Sequence, residues 1–215
     1  MNEQSEKHPI QQKRTVLALA PHPDDLEIGC GGTLAEHAER GDEVHVFIAT
    51  FGDVGGVAEV RQAEQEAASK ILGVKKIHWG GFPDTQLPQR TQDLMDVLER
   101  IIAEVKPDMV YVNYDEDTHQ DHRTLAQVAR SITRYIPNVL YYETPSSMNF
   151  EPSIFMDIHD VLSFKIKALE AHASQVEATH VTLNIFEIAL ATARFRGVQG
   201  KLSCAEAFVP VRLRL

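Results

Sequence analysis

Residues 15–25 read TVLALAPHPDD, an apolar run followed directly by a polar segment that contains two prolines. An apolar run closed by a proline is typical of a buried strand, so residues 21–25 are expected at the carboxyl end of that strand. Open α/β sheets bind their ligands at this edge. One imidazole and two carboxylates beside a core are costly unless a cation or a proton transfer uses them. The sequence therefore predicts a functional centre at residues 21–25.

Apolar runs and amphipathic stretches alternate along the rest of the chain. Further strands are predicted at 43–49, 76–79, 108–113, 138–143, 154–158 and 207–211, and helices at 29–40, 58–72, 90–106, 123–135, 160–176 and 184–195. Strands that alternate with helices form βαβ units, whose sheet is parallel and covered by helices on both faces. We predict an α/β fold in one domain over residues 1–215, with residues 1–13 as a polar extension.

The composition argues against several classes of protein. Of the 215 residues, 43% are hydrophobic and 24% are charged, as in soluble globular proteins. The net charge of −10 argues against nucleic acid as a partner, because phosphates would not be neutralised. No apolar window is long enough for a membrane span and residues 1–13 do not resemble a signal peptide, which predicts a cytoplasmic protein. Cys30 and Cys204 lie far apart and indicate neither a disulfide framework nor a thiolate zinc site.

A second polar segment, YDEDTHQDH at residues 114–122, follows the strand predicted at 108–113. If both polar segments lie at carboxyl ends of strands in one parallel sheet, their side chains converge on one crevice. His22, Asp25 and His122 then form a set of two imidazoles and one carboxylate. This set leaves an open position, which is the pattern of catalytic zinc. The predicted chemistry is hydrolysis at a metal centre.

Three further groups near these ligands are expected to handle protons. Asp24 and Asp25 are neighbours in a predicted extended loop, so their side chains diverge and only one coordinates the metal. Asp24 is the predicted general base, next to a water whose pKa the cation lowers. His119 is expected to donate a hydrogen bond or a proton to the substrate, with Asp121 holding one ring nitrogen and favouring the charged imidazole.

Each signal taken alone has a simpler interpretation. A His-x-x-His spacing is more often surface or core histidine, and an Asp-Asp pair after a strand commonly caps a helix. The glycines at 29–32 suggest a dinucleotide-binding turn, but Leu34 stands where the third glycine belongs and the two aspartates would repel a pyrophosphate. The joint placement of both segments at strand ends favours the metal site.

Longer motifs resemble those of the LmbE-like, or PIG-L, zinc-dependent N-deacetylases. The most specific are PHPDDLEIG at 21–29, GGTL at 31–34 and HQDHR at 119–123. Shorter motifs extend the resemblance over nearly the whole chain: RQAE at 61–64, FPD at 82–84, HASQ at 172–175 and AEAF at 205–208. The resemblance implies a Rossmann-like sheet and removal of the acetyl group from an N-acetylated amino sugar or its conjugate.

The resemblance also implies one zinc ion per chain and the same residue roles as the chemistry above. By motif, the zinc ligands are His22, Asp25 and His122, the base is Asp24, and the assisting pair is His119 with Asp121. Arg61 falls in a stretch that relatives place near the substrate, although a solvated helix charge paired with Glu64 or Gln65 is the alternative. Cys204 stands where relatives often carry tyrosine, so zinc and His119 would stabilise the oxyanion without that hydroxyl, or the position is simply in the core.

Other functions stay open at this point. A metal-dependent hydrolase of another bond, such as a phosphoester, would be expected to need more cationic side chains or a second metal. A non-catalytic sugar-binding or metal-binding module would have no use for Asp24. Members of the family that the chain resembles are often homo-oligomers, which leaves the oligomeric state open here. The apolar segment from Asn184 onward can serve either as core or as a subunit contact.

Three loops, at 50–57, 80–89 and 144–153, are expected to surround the pocket. Trp79 and Phe82 lie near the second of these loops. Either aromatic ring can stack on a sugar or pack in the core, and for Trp79 core packing is favoured.

Overall fold

A seven-stranded mixed sheet forms the centre of the structure, a computed structural model that describes residues 13–178 and 184–214. Its strands are β1 (Thr15–Ala20), β2 (Glu43–Thr50), β3 (Lys76–Phe82), β4 (Met109–Asn113), β5 (Asn138–Tyr142), β6 (Ile154–Asp157) and β7 (Ala205–Arg212). Across the sheet their order is β3-β2-β1-β4-β5-β7-β6. The first five strands are parallel, whereas β7 pairs antiparallel with β5 and β6. The predicted α/β fold with a mostly parallel, Rossmann-like sheet is confirmed.

Helices cover both faces of this sheet. They are α1 (Asp25–Gly29), α2 (Gly31–Glu39), α3 (Ala58–Ile71), α4 (Thr91–Val105), α5 (Gln120–Ile132), α6 (Leu162–Glu170), α7 (Ala173–Ala178) and α8 (Ile185–Gly200), with a 3-10 turn at Leu87–Arg90. Leu17 and Leu19 of β1 pack in one core with residues of α4 and α5, whereas Val16 and Ala18 pack in another with residues of α1 and α2. Burial on both faces explains why β1 is a continuous apolar run without alternation.

The direction of the chain across the sheet reverses between β1 and β4, which pair directly. From β1 the chain continues to β2 and β3 on one side, and from β4 it continues to β5 on the other. A crevice forms outside the carboxyl ends of the strands at such a point. The polar segments at 21–25 and 114–122 follow β1 and β4, so both open into this crevice.

Several element boundaries differ from the sequence prediction. The helix predicted at 160–176 is two helices, with His172 buried at the break and the N–H of Ser174 donating to Glu64 of α3. Helices α1 and α5 begin earlier than predicted, and β3 continues to Phe82 because Phe82 pairs with Thr50 of β2. These boundaries depend on contacts of single side chains and strands that the periodicity of the sequence does not encode.

Residues 1–12, most of the predicted polar extension, lie outside the described residues. Among the helices that the structure describes, none is both long enough and apolar enough to cross a membrane.

Candidate metal centre and active site

The first polar segment turns sharply after β1. Asp24 has a left-handed backbone with φ 88°, a conformation that is uncommon for residues with a side chain. The turn allows the backbone N–H of His22 to donate to Asp25 Oδ2 at 3.0 Å, and Asp25 is the first residue of α1. The predicted extended loop is therefore wrong: Asp24 and Asp25 contact different partners because of a tight turn and a helix start.

The three residues predicted as metal ligands meet in the crevice. Asp25 Oδ2 lies 3.3 Å from His22 Nδ1 and 3.4 Å from His122 Nε2. Ligand atoms that are about 2.0–2.1 Å from a tetrahedral ion lie about 3.3–3.4 Å from one another. All three residues are buried. The two distances to Asp25 Oδ2 therefore fit a shared cation of the size of zinc.

Each of the two imidazoles has a carboxylate behind it. His22 Nε2 lies 3.0 Å from Asp84 Oδ1, an ion-pair distance without hydrogen-bond alignment, and His122 Nδ1 lies 3.1 Å from Asp117 Oδ2. Metal-binding histidines commonly have a carboxylate on the second ring nitrogen, which fixes the tautomer and the ring orientation. Sequence analysis missed both partners. The FPD motif contained Asp84 and the second polar segment contained Asp117, but neither pattern indicated which ring they face.

Asp121 contacts the site differently from the prediction. Its carboxylate accepts from the backbone N–H groups of Thr85 at 2.8 Å and Leu87 at 3.1 Å, and it lies 3.4 Å from His22 Nε2. The carboxylate does not hold the ring of His119. Instead, the backbone N–H of Asp121 donates to His119 Nδ1 at 3.2 Å. Asp121 thus connects the start of α5 to the loop after β3.

His119 is the N-cap residue of α5 and is partly exposed. Because its Nδ1 accepts from a backbone N–H, the neutral ring carries its proton on Nε2. Burial lowers the pKa of His119, and the neighbouring imidazoles of His22 and His122 add to the shift. The predicted charged imidazole is thus not favoured, and His119 is a neutral hydrogen-bond donor.

Among the described residues, two groups of potential ligand atoms lie within 4.8 Å of one another, and neither is the predicted set. They are His22, His119 and His122, and His22, Asp84 and Asp121. The first group would require His119 Nε2 to lose its proton. The second would use His22 Nε2, the nitrogen whose proton faces carboxylates. The set of His22, Asp25 and His122 uses Nδ1 of His22 and Nε2 of His122, so the ring nitrogens that face the outer carboxylates keep their protons.

Asp24 is ion-paired with Arg61 of α3, with 3.1 Å between Oδ2 and Nη2. The guanidinium also donates to the carbonyls of Gly52 and Pro23, each at 2.8 Å. Gly52 has φ +66°, and a Cβ at this position would collide with the guanidinium. Burial raises the pKa of Asp24 to about 6, with Arg61 opposing the shift. Arg61 is therefore buried beside the predicted base and is not the solvated helix charge that the sequence left as an alternative.

A cavity of about 320 Å³ opens beside these groups. Its walls are formed by His22, Asp24, Asp25, Val54, Gly55, Arg61, Asp84, Thr85, His119 and Gln175. Two of the three predicted loops, 50–57 and 80–89, contribute to it. Residues of the third loop, among them Thr144 and Ser147, line a separate cavity of about 470 Å³. The prediction that residues 144–153 surround this pocket is therefore wrong for the described cavity.

The aromatic and cysteine positions singled out in the sequence are part of the core. Phe82 is buried in the core on the α4 side of the sheet, and Trp79 is partly buried against the opposite core. Cys204 is buried in an apolar cluster with Ile158 and Ala193. None of the three lines the cavity at His22. Core packing, favoured for Trp79, accounts for all of them.

The donor set of the site fits a cation. Four carboxylates face the two imidazoles, those of Asp25, Asp84, Asp117 and Asp121, and none of the four is ion-paired with a described arginine or lysine. Burial disfavours the charged form of His22, but Asp121, Asp25 and Asp84 outweigh this effect and raise its pKa well above the ordinary value. Buried negative charge in such excess attracts a cation.

The chain is similar to several proteins that are described as deacetylases. The PIG-L family, described as GlcNAc-PI de-N-acetylase, matches residues 17–133. The uncharacterized deacetylase YaiS of Escherichia coli is 35% identical in an alignment of 172 positions that covers 76% of this chain and 92% of that protein. The N,N'-diacetylchitobiose deacetylase of Pyrococcus horikoshii is 26% identical with a TM-score of 0.79, over 95% of this chain and 86% of that chain.

A relative with a different reaction also matches. The 4-oxalmesaconate hydratase of Pseudomonas putida is 26% identical in an alignment of 230 positions that covers 92% of this chain and 85% of that protein. Similarity at this level therefore accompanies more than one reaction on this fold. The family match spans more than half of the sequence and includes both polar segments. The chain belongs to the PIG-L family.

Proposed function

We propose that the protein is a zinc-dependent hydrolase that removes the acetyl group from an N-acetylated amino sugar or its conjugate. The observation that carries the proposal is the approach of His22 Nδ1 and His122 Nε2 to Asp25 Oδ2, beside a cavity that Asp24 lines. These three residues would hold one zinc ion, because two imidazoles and a carboxylate with an open position are typical of catalytic zinc. When bound, the cation supplies Lewis acidity, which lowers the pKa of water and polarises a carbonyl group.

Asp24 is the general base in this proposal. A pKa of about 6 leaves its carboxylate ionised at neutral pH and still basic enough to accept a proton. The ion pair with Arg61 at 3.1 Å holds the carboxylate in one orientation before the substrate binds. Asp24 takes a proton from the water that attacks the acetamide carbon. It then delivers this proton to the amine nitrogen as the C–N bond breaks, so that acetate and the free amine are released.

His119 stabilises the charge that develops on the acetamide oxygen. Its Nε2–H is a donor at the wall of the cavity, since Nδ1 accepts from the backbone of Asp121. A donor that is oriented before the reaction stabilises an oxyanion without reorganisation. Asp121 is a positioning residue in this scheme, because its carboxylate binds the loop after β3 and its N–H binds the His119 ring.

We assign Arg61 first to Asp24 and second to the substrate. Two of its three nitrogens are engaged by Asp24, Gly52 and Pro23. The third, Nε, is buried and has no hydrogen-bond partner among the described residues. Because Arg61 also lines the cavity, contact with a sugar hydroxyl group through the guanidinium edge is part of the proposal.

The proposed substrate class follows from the relatives and from the charge of the cavity. One solved relative is a deacetylase of diacetylchitobiose, and the family is described by a de-N-acetylase of a GlcNAc conjugate. Asp24, Asp25 and Asp84 make the wall of the cavity acidic. An uncharged acetamido sugar can enter a cavity with an acidic wall. A substrate whose reacting group is anionic would be repelled by the same carboxylates.

Hydration of a carbon–carbon double bond is the second candidate, because the Pseudomonas putida hydratase is similar to 92% of this chain. A general base beside a cation can also activate water for that reaction. A polycarboxylic acid would, however, bring several negative charges to a cavity whose one described cationic side chain, Arg61, is already paired with Asp24. The acidic wall therefore favours deacetylation.

Metal analysis and two activity assays test the proposal. We expect the purified protein to bind about one zinc ion per chain. Acetate release would be measured on N-acetylglucosamine, N,N'-diacetylchitobiose and N-acetylglucosaminyl malate, and hydration of 4-oxalmesaconate would be followed by absorbance. The variant Asp24→Asn is the control for water activation.

Acetate release by the wild type and not by Asp24→Asn would support the proposed function. Hydration without acetate release would replace it with the second candidate. Inactivity in both assays with zinc bound would favour a binding module. The cytoplasmic location and the single domain stay predictions from the sequence, and the oligomeric state stays open.

A further inference from the structure

Three buried polar side chains connect Asp24 to the break between α6 and α7. Gln65 of α3 and Glu27 of α1 are almost fully buried, as is His172 at the break. The backbone N–H of Asp24 donates to Gln65 Oε1 at 3.1 Å, and Gln65 Nε2 donates to Glu27 Oε1 at 2.7 Å. The other oxygen of Glu27 lies 3.5 Å from His172 Nε2. We call Gln65, Glu27 and His172 the Asp24 relay.

Hydrogen-bonding capacity determines how the side chains of the relay are oriented. A carboxylate only accepts hydrogen bonds, so Glu27 requires the NH₂ group of Gln65 to point toward it. The amide oxygen of Gln65 must then point toward Asp24, whose N–H it accepts. His172 is the available donor on the far side of Glu27. Each member therefore determines the orientation of the next one.

Glu27 and His172, at the end of the relay away from Asp24, reduce the stability of the folded state because their polar atoms are buried with incomplete hydrogen bonding. Glu27 Oε2 and His172 Nε2 face each other at 3.5 Å without hydrogen-bond alignment, and His172 Nδ1 is buried without a hydrogen-bond partner among the described residues. A buried polar group without such a partner costs about 1–3 kcal/mol, so apolar side chains of the same size would pack here more favourably. A cost of this kind calls for an explanation in function or in strain.

The near end of the relay is the strained residue of the site. Asp24 has φ 88°, and non-glycine residues persist in this region only when the surroundings hold them there. Its backbone N–H donates to Gln65, whereas its carboxylate is ion-paired with Arg61. Backbone and carboxylate are thus held by separate groups.

We propose that Glu27 and His172 are positioning residues, which act through Gln65 to keep the Asp24 backbone left-handed and its carboxylate aimed at the cavity. The claim about turnover rests on the proposed function of Asp24 as the base. The claim about the backbone does not rest on it. The two claims are tested by separate measurements.

The first measurement is amide hydrogen exchange by NMR, which needs no substrate. In Glu27→Met, which removes the acceptor, we expect the Asp24 amide to exchange about tenfold faster or more, as loss of one oriented hydrogen bond implies. The amide of Thr50, which donates to Pro21 at 3.0 Å, should be unchanged. Ser69→Ala is the matched control, since Ser69 Oγ also accepts from Gln65 Nε2 but lies outside the relay.

The second measurement is steady-state kinetics with metal content. We expect Glu27→Met and His172→Phe to lower kcat about 10-fold to 100-fold with KM and bound zinc unchanged, because a misplaced base affects the chemical step. Glu27→Gln and His172→Gln keep an acceptor and a donor, respectively, and should restore most of kcat. If Glu27→Met does not fold, His172→Phe is compared with His172→Gln in the same way.

An Asp24 amide that exchanges at the wild-type rate in Glu27→Met and in His172→Phe would overturn the relay, whatever the activity. The relay would also be overturned if these two variants had a lower melting temperature but an unchanged kcat per bound zinc. That result would show that Glu27 and His172 have a purely structural role. Faster exchange in a protein that is inactive on every substrate would support the relay and count against the proposed function instead.

Discussion

Helix α1 has a buried ionic group at each end, and the two groups are built in opposite ways. At its first residue, Asp25 belongs to the imidazole–carboxylate cluster, which we define as His22, Asp25, Asp84, Asp117, Asp121 and His122. At its other end, Lys165 Nζ donates to the carbonyl of Ile28 at 2.7 Å and to Glu206 at 2.5 Å. Glu206 in turn accepts from the N–H groups of Gly32 and Thr33 at the start of α2.

The Lys165–Glu206 pair is balanced, whereas the cluster is not. One ammonium meets one carboxylate in the pair, and both oxygens of Glu206 accept hydrogen bonds. The ammonium at the end of α1 and the carboxylate at the start of α2 also match the helix dipoles. In the cluster, four carboxylates face two imidazoles beside an open cavity. A buried ionic group whose charges balance indicates a structural role, and one with an excess of carboxylates is suited to bind a cation.

The largest effect is expected from removing the shared carboxylate of the cluster. In Asp25→Ala, bound zinc should fall to background and turnover should fall at least about 10⁴-fold, since both the cation and its chemistry are lost. Zinc is measured by mass spectrometry and turnover by acetate release. Chelation of the wild type should reproduce the loss and added zinc should reverse it. Full zinc occupancy in Asp25→Ala would contradict the assignment.

A smaller effect is expected when the cation stays and the base is removed. Asp24→Asn should lower kcat about 10³-fold with zinc retained, because the amide cannot take the proton of water. The measurement is kcat together with zinc per chain. A near-normal kcat in this variant would show that another group is the base.

The outer carboxylates should matter less than the ligands and the base. Asp84→Asn and Asp117→Asn should each weaken zinc affinity about 10-fold to 100-fold, because the ring they orient is left free to turn. Affinity is measured by competition with a chelator. Asp115→Asn is the matched control, since Asp115 lies in the same segment but pairs with Arg130 at 3.7 Å. If Asp84→Asn and Asp117→Asn bound zinc as tightly as Asp115→Asn, Asp84 and Asp117 would not be part of the metal centre.

The balanced pair at the other end of α1 should affect stability and not turnover. In Lys165→Met, the free energy of unfolding should fall by about 3–5 kcal/mol, because Glu206 is left buried without its cation. Lys165→Met combined with Glu206→Gln should recover part of this loss. Urea denaturation gives the free energy, and kcat per bound zinc should equal that of the wild type. A lower kcat of Lys165→Met at unchanged stability would contradict this prediction. It would show that the Lys165–Glu206 pair takes part in catalysis together with the cluster.

The strand ends and the candidate ligands were predictable because their signals are local. The apolar run before Pro21 indicates a buried parallel strand, and β1 is buried on both faces. A parallel sheet then brings the ends of neighbouring strands to one edge, which is why His22 and His122 meet. The choice of Asp25 as their partner required only that imidazole and carboxylate ligands complete a zinc-like set.

The partners of these residues were not predictable in the same way. Asp121 was expected on the ring of His119, but its carboxylate binds the backbone of Thr85 and Leu87 instead. The helix expected at 160–176 is broken at His172, whose side chain is buried near Glu27. A hydrogen bond needs a particular distance and direction between two groups. When the groups lie on different helices or loops, the sequence of one element does not show whether they meet this requirement.

The sequence by itself determined the α/β architecture, the two polar strand ends and the residue types that a catalytic metal needs, because hydrophobic periodicity and ligand chemistry act over a few residues. Only the tertiary structure decided the left-handed turn at Asp24, the carboxylates behind His22 and His122, and the relay from Asp24 to His172. These features join loops and helices that are distant in sequence. Their energies depend on which groups the folded core leaves facing one another.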